Sequence, residues 1–157
     1  MRLAILALPL IFVASSAYAD TIACLASVID GDTIEIRGER IRILDIDAPE
    51  LDQPCFLRGR ADTWPCGQQA AHALSEWISQ YPVTCETAGT DNAGRWLAHC
   101  NVATVSIATW MAGNGWAMPN QDCRCEIVRA AADRAKAAGL GIWSGTFMMP
   151  WDWRKAH

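Results

Sequence analysis

Four acids, Asp32, Asp45, Asp47 and Glu50, crowd one short stretch of this chain, and Arg42 stands among them. A second arginine, Arg95, follows the turn-forming run Asp91-Asn92-Ala93-Gly94. Together these residue types suit chemistry at phosphorus. Displacement at a phosphodiester needs charge neutralised on the phosphoryl oxygens, a water held in line, and a group to accept its proton. Arginine serves the first need, because its planar fork spans two phosphate oxygens and stays charged. Two carboxylates, with backbone carbonyls and waters, can hold a hard cation such as calcium. A third carboxylate that does not bind the metal can act as general base. Asp32, Asp47, Glu50, Arg42 and Arg95 make up such a set.

The elements around these residues must bring them together. Ile22 to Ile29 reads as a strand entering the tight turn Asp30-Gly31-Asp32. Thr33 to Arg37 and Arg40 to Ile46 read as two more strands joined across Gly38-Glu39, a two-residue hairpin signal. Three strands in succession make a meander, which Pro49 ends. Arg42 and Asp47 lie five positions apart, so an ideal strand would point them to opposite faces. Their convergence therefore requires a bend.

Leu51 to Pro65 reads as loop. From Cys66, Ala70, Leu74, Trp77 and Ile78 recur at helical spacing until Pro82 stops the run. Val83 to Glu86 and Arg95 to Val102 predict two further strands. Thr104 to Ala112 predicts a short helix. Glu126 to Ala138 predicts a longer one, with Ile127, Ala131, Ala135 and Ala138 as its apolar stripe and Gly139 as its C-terminal cap. The expected fold class is α+β, mainly β: a five-stranded OB-fold Greek-key barrel with about three helices.

Residues 1–19 carry a positive start at Arg2, an apolar run from Leu3 to Val13 and an Ala-x-Ala ending at Ala19. That is the pattern of a cleaved export signal, and its apolar run is too short for a stable membrane anchor. Residues 20–157 are then expected to form one domain, exported to the periplasm or beyond. The expected form is a monomer with no lasting membrane association. Seven cysteines, all downstream of the leader, fit an oxidising compartment. Cys85 and Cys100 flank a strand–turn–strand and would lie side by side, and Cys55 and Cys66 bracket one loop. Cys24, Cys123 and Cys125 remain, and an odd number leaves at least one thiol over. Neither the spacing nor the histidine placement resembles a zinc pattern. The net charge is −4, more acidic still without Arg2. Contact with nucleic acid would have to rest on a few focused arginines and a metal rather than on a basic face.

Val28-Ile29-Asp30-Gly31-Asp32-Thr33-Ile34, the run Arg42 to Glu50, and Gly94-Arg95 with its preceding aspartate resemble signature segments of the staphylococcal nuclease (thermonuclease) family. Gly139-Leu140-Gly141-Ile142-Trp143 resembles that family's helix end and closing tryptophan. The resemblance runs from about Ile22 to Trp143. It implies an OB-fold enzyme that cleaves DNA and RNA with Ca²⁺. Asp32 and Asp47 would bind the ion with the backbone carbonyl of Ala48. Arg42 and Arg95 would grip the scissile phosphate, and Glu50 would activate water, leaving 3′-phosphate ends. The chain departs from the family pattern at Ala93, where a tyrosine is usual, and at Trp116-Ala117-Met118-Pro119. Trp116 is either a replacement platform for a base or part of the core.

Other residues carry plainer expectations. His72 and His99 should face solvent, and Arg58 and Arg60 should sit in a surface loop or line the cleft. The tryptophans of Pro150-Trp151-Asp152-Trp153-Arg154 should pack on the barrel. Two other function classes fit the same elements: an OB module that binds nucleic acid or protein without cutting it, and a calcium-stabilised structural domain. Asp30-Gly31-Asp32 superficially resembles a calcium loop, but the EF-hand spacing is missing.

Overall fold

The computed structural model describes residues 20–157; the expected leader lies outside the described residues. The chain opens with β1 (Thr21–Cys24), β2 (Ser27–Val28), β3 (Thr33–Ile36), β4 (Glu39–Ile43) and the short β5 (Ile46–Asp47). A small hairpin, β6 (Cys55–Leu57) and β7 (Thr63–Trp64), precedes helix α1 (Cys66–Ile78). Then come β8 (Val83–Thr90), β9 (Trp96–Val102), β10 (Val105–Ser106), α2 (Ile107–Gly113) and β11 (Met118–Pro119). Helix α3 (Glu126–Ala138), a 3-10 turn (Gly141–Ser144), β12 (Gly145–Thr146) and α4 (Pro150–Ala156) complete it.

The main sheet runs in the order β1-β8-β9-β4-β3-β2, with β10 added beside β9. Its two edges, β1 and β2, are separated in the chain only by Leu25 and Ala26. The expected single strand is thus broken there, and its halves pair with β8 and with β3. A sheet whose two edges belong to one bent strand must curl, and this one closes into the OB half-barrel. Counted that way the barrel has the five strands expected. The ladders are antiparallel except β4 with β9, which is parallel.

Alternation fills the barrel. Ile34 and Ile36 of β3, Ile41 and Ile43 of β4, Val83 and Cys85 of β8, and Ala98 and Cys100 of β9 are all buried. Arg40 and Arg42 take the other face of β4, as a period of two requires. The β3–β4 turn falls on Arg37 and Gly38, with φ of 54° and 86°, one residue earlier than expected. Two successive positive φ values mark the turn whose twist matches paired strands.

Cys85 and Cys100 face each other across β8 and β9 and are bridged, and Cys55 is bridged to Cys66, both as expected. Cys123 and Cys125 are drawn together ahead of α3, leaving Cys24 free. Helix α3 has its expected span, and Gly139 caps it in the left-handed region at φ 66°. Its buried face is Val128, Ala131, Ala132 and Ala135. Ile127 is 73% exposed, so the expected stripe is corrected by a rotation of about one residue. Among the described residues there are four α-helices rather than three, because the tail forms α4. None is long and apolar enough to cross a membrane.

Candidate functional site

A left-handed residue supplies the bend that the sequence requires. Strand β4 stops at Ile43, Asp45 takes φ 73°, and the chain resumes as β5. That turn reverses the alternation, so Asp47 and Arg42 meet. Arg42 Nη1 donates to Asp32 Oδ1 at 2.8 Å and Nη2 to Asp47 Oδ1 at 3.1 Å. Strand β11 fixes β5 from the other side, with Met118 opposite Asp47.

Asp32 is held by three donors. It accepts from Thr33 Oγ1, Arg42 Nη1 and the Ala48 amide, the last at 2.9 Å. The turn that presents it is tied by Asp30, whose Oδ1 accepts the Asp32 amide. Gly31 lies so close to Ala48 Cβ that a side chain there would collide. Burial pushes the Asp32 carboxyl up to about 7, with Arg42 pulling the other way. A buried carboxylate with incomplete charge compensation is a fit for a hard cation.

Arg95 reaches the same face through the parallel ladder. Leu97 is the partner of Arg42, and Arg95, just before β9 begins, lines the same pocket as both. Asp91 holds it: Oδ2 accepts Arg95 Nε at 2.7 Å, while Oδ1 accepts the Ala93 and Arg95 amides. The Arg95 amide first, then its side chain, keep the Asp91 carboxyl below the usual carboxylate range. The tether is therefore in force at neutral pH, and it is lost only as pH falls through that lowered value. If the chain cleaves nucleic acid as the resemblance implies, an Asp91→Ala protein should fold normally and show a several-fold higher KM in steady-state cleavage, because Arg95 loses its orientation. An unchanged KM would mean Arg95 needs no such support.

Glu50 follows the buried Ala48-Pro49 step. Its backbone is held on two sides by Gln53, which is fully buried: the Gln53 amide donates to the Glu50 carbonyl, and Gln53 Oε1 accepts the Glu50 amide. The start of α1 closes the third side, because a Cβ on Gly67 would run into the Glu50 backbone carbonyl. Gly67→Ala should leave the circular-dichroism helix signal intact and, for the phosphodiester cleavage that the resemblance implies, cut turnover by about 10²-fold, the usual effect of a misplacement on the order of 1 Å. Wild-type turnover in that variant would mean the Glu50 backbone is free to move without consequence.

Arg42, Glu50 and Arg95 line one open pocket of about 400 Å³ with Asp30, Asp91, Leu97 and Arg154. The last of these is not among the site residues that the sequence reading names. Arg154 Nη1 and Nη2 donate to Asp47 Oδ1 and Oδ2 at 2.8 and 2.7 Å, and Nη1 also reaches Glu50 Oε1 at 2.7 Å. The sequence did hold a signal: Pro150 begins a helix well, Asp152 suits its first turn, and Arg154 and Lys155 suit its last.

Guanidinium groups are thus interleaved with the acids. Among the described residues, the three donors of metal-ligand type that come within 4.8 Å of one another are Asp45, Cys123 and Cys125. Asp32, Asp47 and Glu50 stand further apart, with Arg42 and Arg154 between them. Arg58 and Arg60 are exposed and do not line the pocket. His72 and His99 face solvent, each beside a carboxylate, Glu76 and Asp45. Trp116 packs against the main core and edge-on to Trp64 at 6.5 Å, which favours the core reading over a base platform.

A profile described as staphylococcal nuclease homologue matches residues 40–145. The chain belongs to that family. Succinoglycan biosynthesis protein ExoI of Rhizobium meliloti (strain 1021) is 39% identical over 127 residues, covering 80% of this chain and 66% of its own length. Probable staphylococcal-like nuclease CAN3 of Oryza sativa subsp. japonica is 32% identical over 127 residues, 79% of this chain and 30% of its own. Protein ParB of Escherichia coli is 29% identical over 167 residues, 95% of this chain and 88% of its own. The chain thus spans just under two thirds of ExoI and less than a third of CAN3. The matched profile includes Arg42, Asp47, Ala48, Glu50 and Arg95, and begins just after Asp32.

Proposed function

We propose that the chain is an exported, calcium-dependent nuclease that hydrolyses phosphodiester bonds of DNA or RNA and leaves 3′-phosphate ends. The observation that carries the reading is the shared pocket: Arg42, Glu50 and Arg95 line it together, and Asp32 and Asp47 back onto it through Arg42. Asp32, Asp47 and the Ala48 carbonyl are the groups that would hold the ion, whose bound charge would stabilise the crowded oxygens at phosphorus. Arg42 and Arg95, approaching from adjacent strands, would hold two non-bridging oxygens of the scissile phosphate. Glu50 would take the proton of a water as its oxygen bonds to phosphorus, and the bond to the 5′-oxygen breaks. The bridged cysteine pairs Cys55–Cys66 and Cys85–Cys100 support export, since such bonds persist in oxidising compartments.

The test is incubation of the purified protein with single-stranded DNA or RNA, with calcium or with a chelator. Fragments that form only with calcium support the reading. Intact but retarded nucleic acid in both conditions would replace it with a binding module, and intact, unretarded nucleic acid would overturn it.

A further inference from the structure

Arg154 occupies the gap between two of the proposed functional carboxylates. It is carried by α4, a helix that the rest of the molecule places with care. Pro150 at its start is buried, and Trp151 packs on the cluster of Cys55, Cys66, Met118 and Ile142. The preceding Met148 carbonyl accepts Gln53 Nε2 at 2.6 Å, and Trp153 Nε1 donates to Asp52 Oδ1 at 3.4 Å. The loop that fixes α4 is therefore the one that follows Glu50 and is stapled by Cys55–Cys66.

From this base Arg154 meets Asp47 in a two-pronged pair and shares one nitrogen with Glu50. Asp47 Oδ1 also receives Arg42. Both oxygens of Asp47 are thereby engaged. A guanidinium pairing with both oxygens covers the inner lone pairs of a carboxylate. A calcium ion bound through both oxygens would approach those same lone pairs at about 2.3–2.6 Å. With Arg42 and Arg154 on Oδ1 and Arg154 on Oδ2, an ion and this guanidinium are two cations drawn to one carboxylate, and they compete for it by repulsion as well as by position.

We infer that Arg154 is an internal cation that competes with calcium for Asp47, so that the C-terminal helix sets the metal affinity of the site. Calcium binding favours release of Asp47 by Arg154, which removes one of the ties that hold α4 to the site. When calcium is scarce, Arg154 holds Asp47 and Glu50 together and keeps their charges compensated. The inference rests on the metal reading given under Proposed function.

Calcium alone, without nucleic acid, is the probe, titrated calorimetrically into the full-length protein at low ionic strength. Arg154→Ala and Arg154→Gln should each bind calcium about 5- to 150-fold more tightly than wild type, the ordinary range for coupling between two binding events. In wild type, calcium should speed amide hydrogen exchange across residues 150–156. An unchanged or weaker affinity in both Arg154 variants would overturn the competition. Asp47→Asn separates the two possible failures. If it abolishes calcium binding while the Arg154 variants stay at the wild-type affinity, the competition alone is wrong. If it binds calcium as wild type does, the ion is not at Asp47, and the metal reading falls together with the competition.

Discussion

Glu50→Gln should fold as the wild type does and lose about 10²- to 10⁴-fold in turnover, the contribution expected of a positioned general base. The fold should survive because the Glu50 side chain is about one-third exposed at 31% and its backbone ties to Gln53 do not involve the carboxylate. The amide keeps the shape and still accepts a hydrogen bond from Arg154, but it cannot take a proton from water. The measurement is single-turnover cleavage at saturating calcium, alongside a melting curve. An undiminished rate would assign the base elsewhere.

Arg42→Ala is the second large effect, and here stability and activity fall together. Among the described residues Arg42 is the one group that touches both buried aspartates, and the side chains of Asp32 and Asp47 are each only 5% exposed. Removing Arg42 leaves buried Asp32 without its charged partner, while Asp47 keeps Arg154; breaking such a buried pair costs about 3–5 kcal/mol. Denaturant melts should show that loss, reduced when calcium is present. Arg42→Lys separates the two roles. A single ammonium preserves the charge but cannot fork between Asp32, Asp47 and a phosphate. It should recover most of the stability and little of the turnover. Recovery of both would mean that Arg42 acts as a point charge only.

The barrel was legible because its signals are local. Alternating isoleucines on β3 and β4, the Gly38 turn and the Gly139 cap each act within a few residues, and each was found with small shifts. Long-range closure was not legible. Nothing at Leu25-Ala26 announces that β1 leaves β3 for β8, because the break is imposed by the curl of the sheet rather than by a breaker residue. The bend at Asp45 had to exist if Arg42 and Asp47 were to meet, yet its place could not be read, since aspartate tolerates the left-handed region without requiring it. The face of α3 was missed by one residue because alanines fill most of its positions, leaving Ile127 and Val128 as rival anchors. Arg154 was missed for a different reason. The two tryptophans beside it are packing residues by type, and a seven-residue helix has too few turns for its charged face to stand out by periodicity.

The most direct measurement is a crystal structure of Glu50→Gln protein with calcium and a short single-stranded oligonucleotide. The expected result is an ion about 2.3–2.6 Å from oxygens of Asp32 and Asp47, a phosphate held between Arg42 and Arg95, and Arg154 withdrawn from Asp47. An ion bound elsewhere with Arg154 still on both oxygens of Asp47, or a phosphate that touches neither Arg42 nor Arg95, would contradict the account.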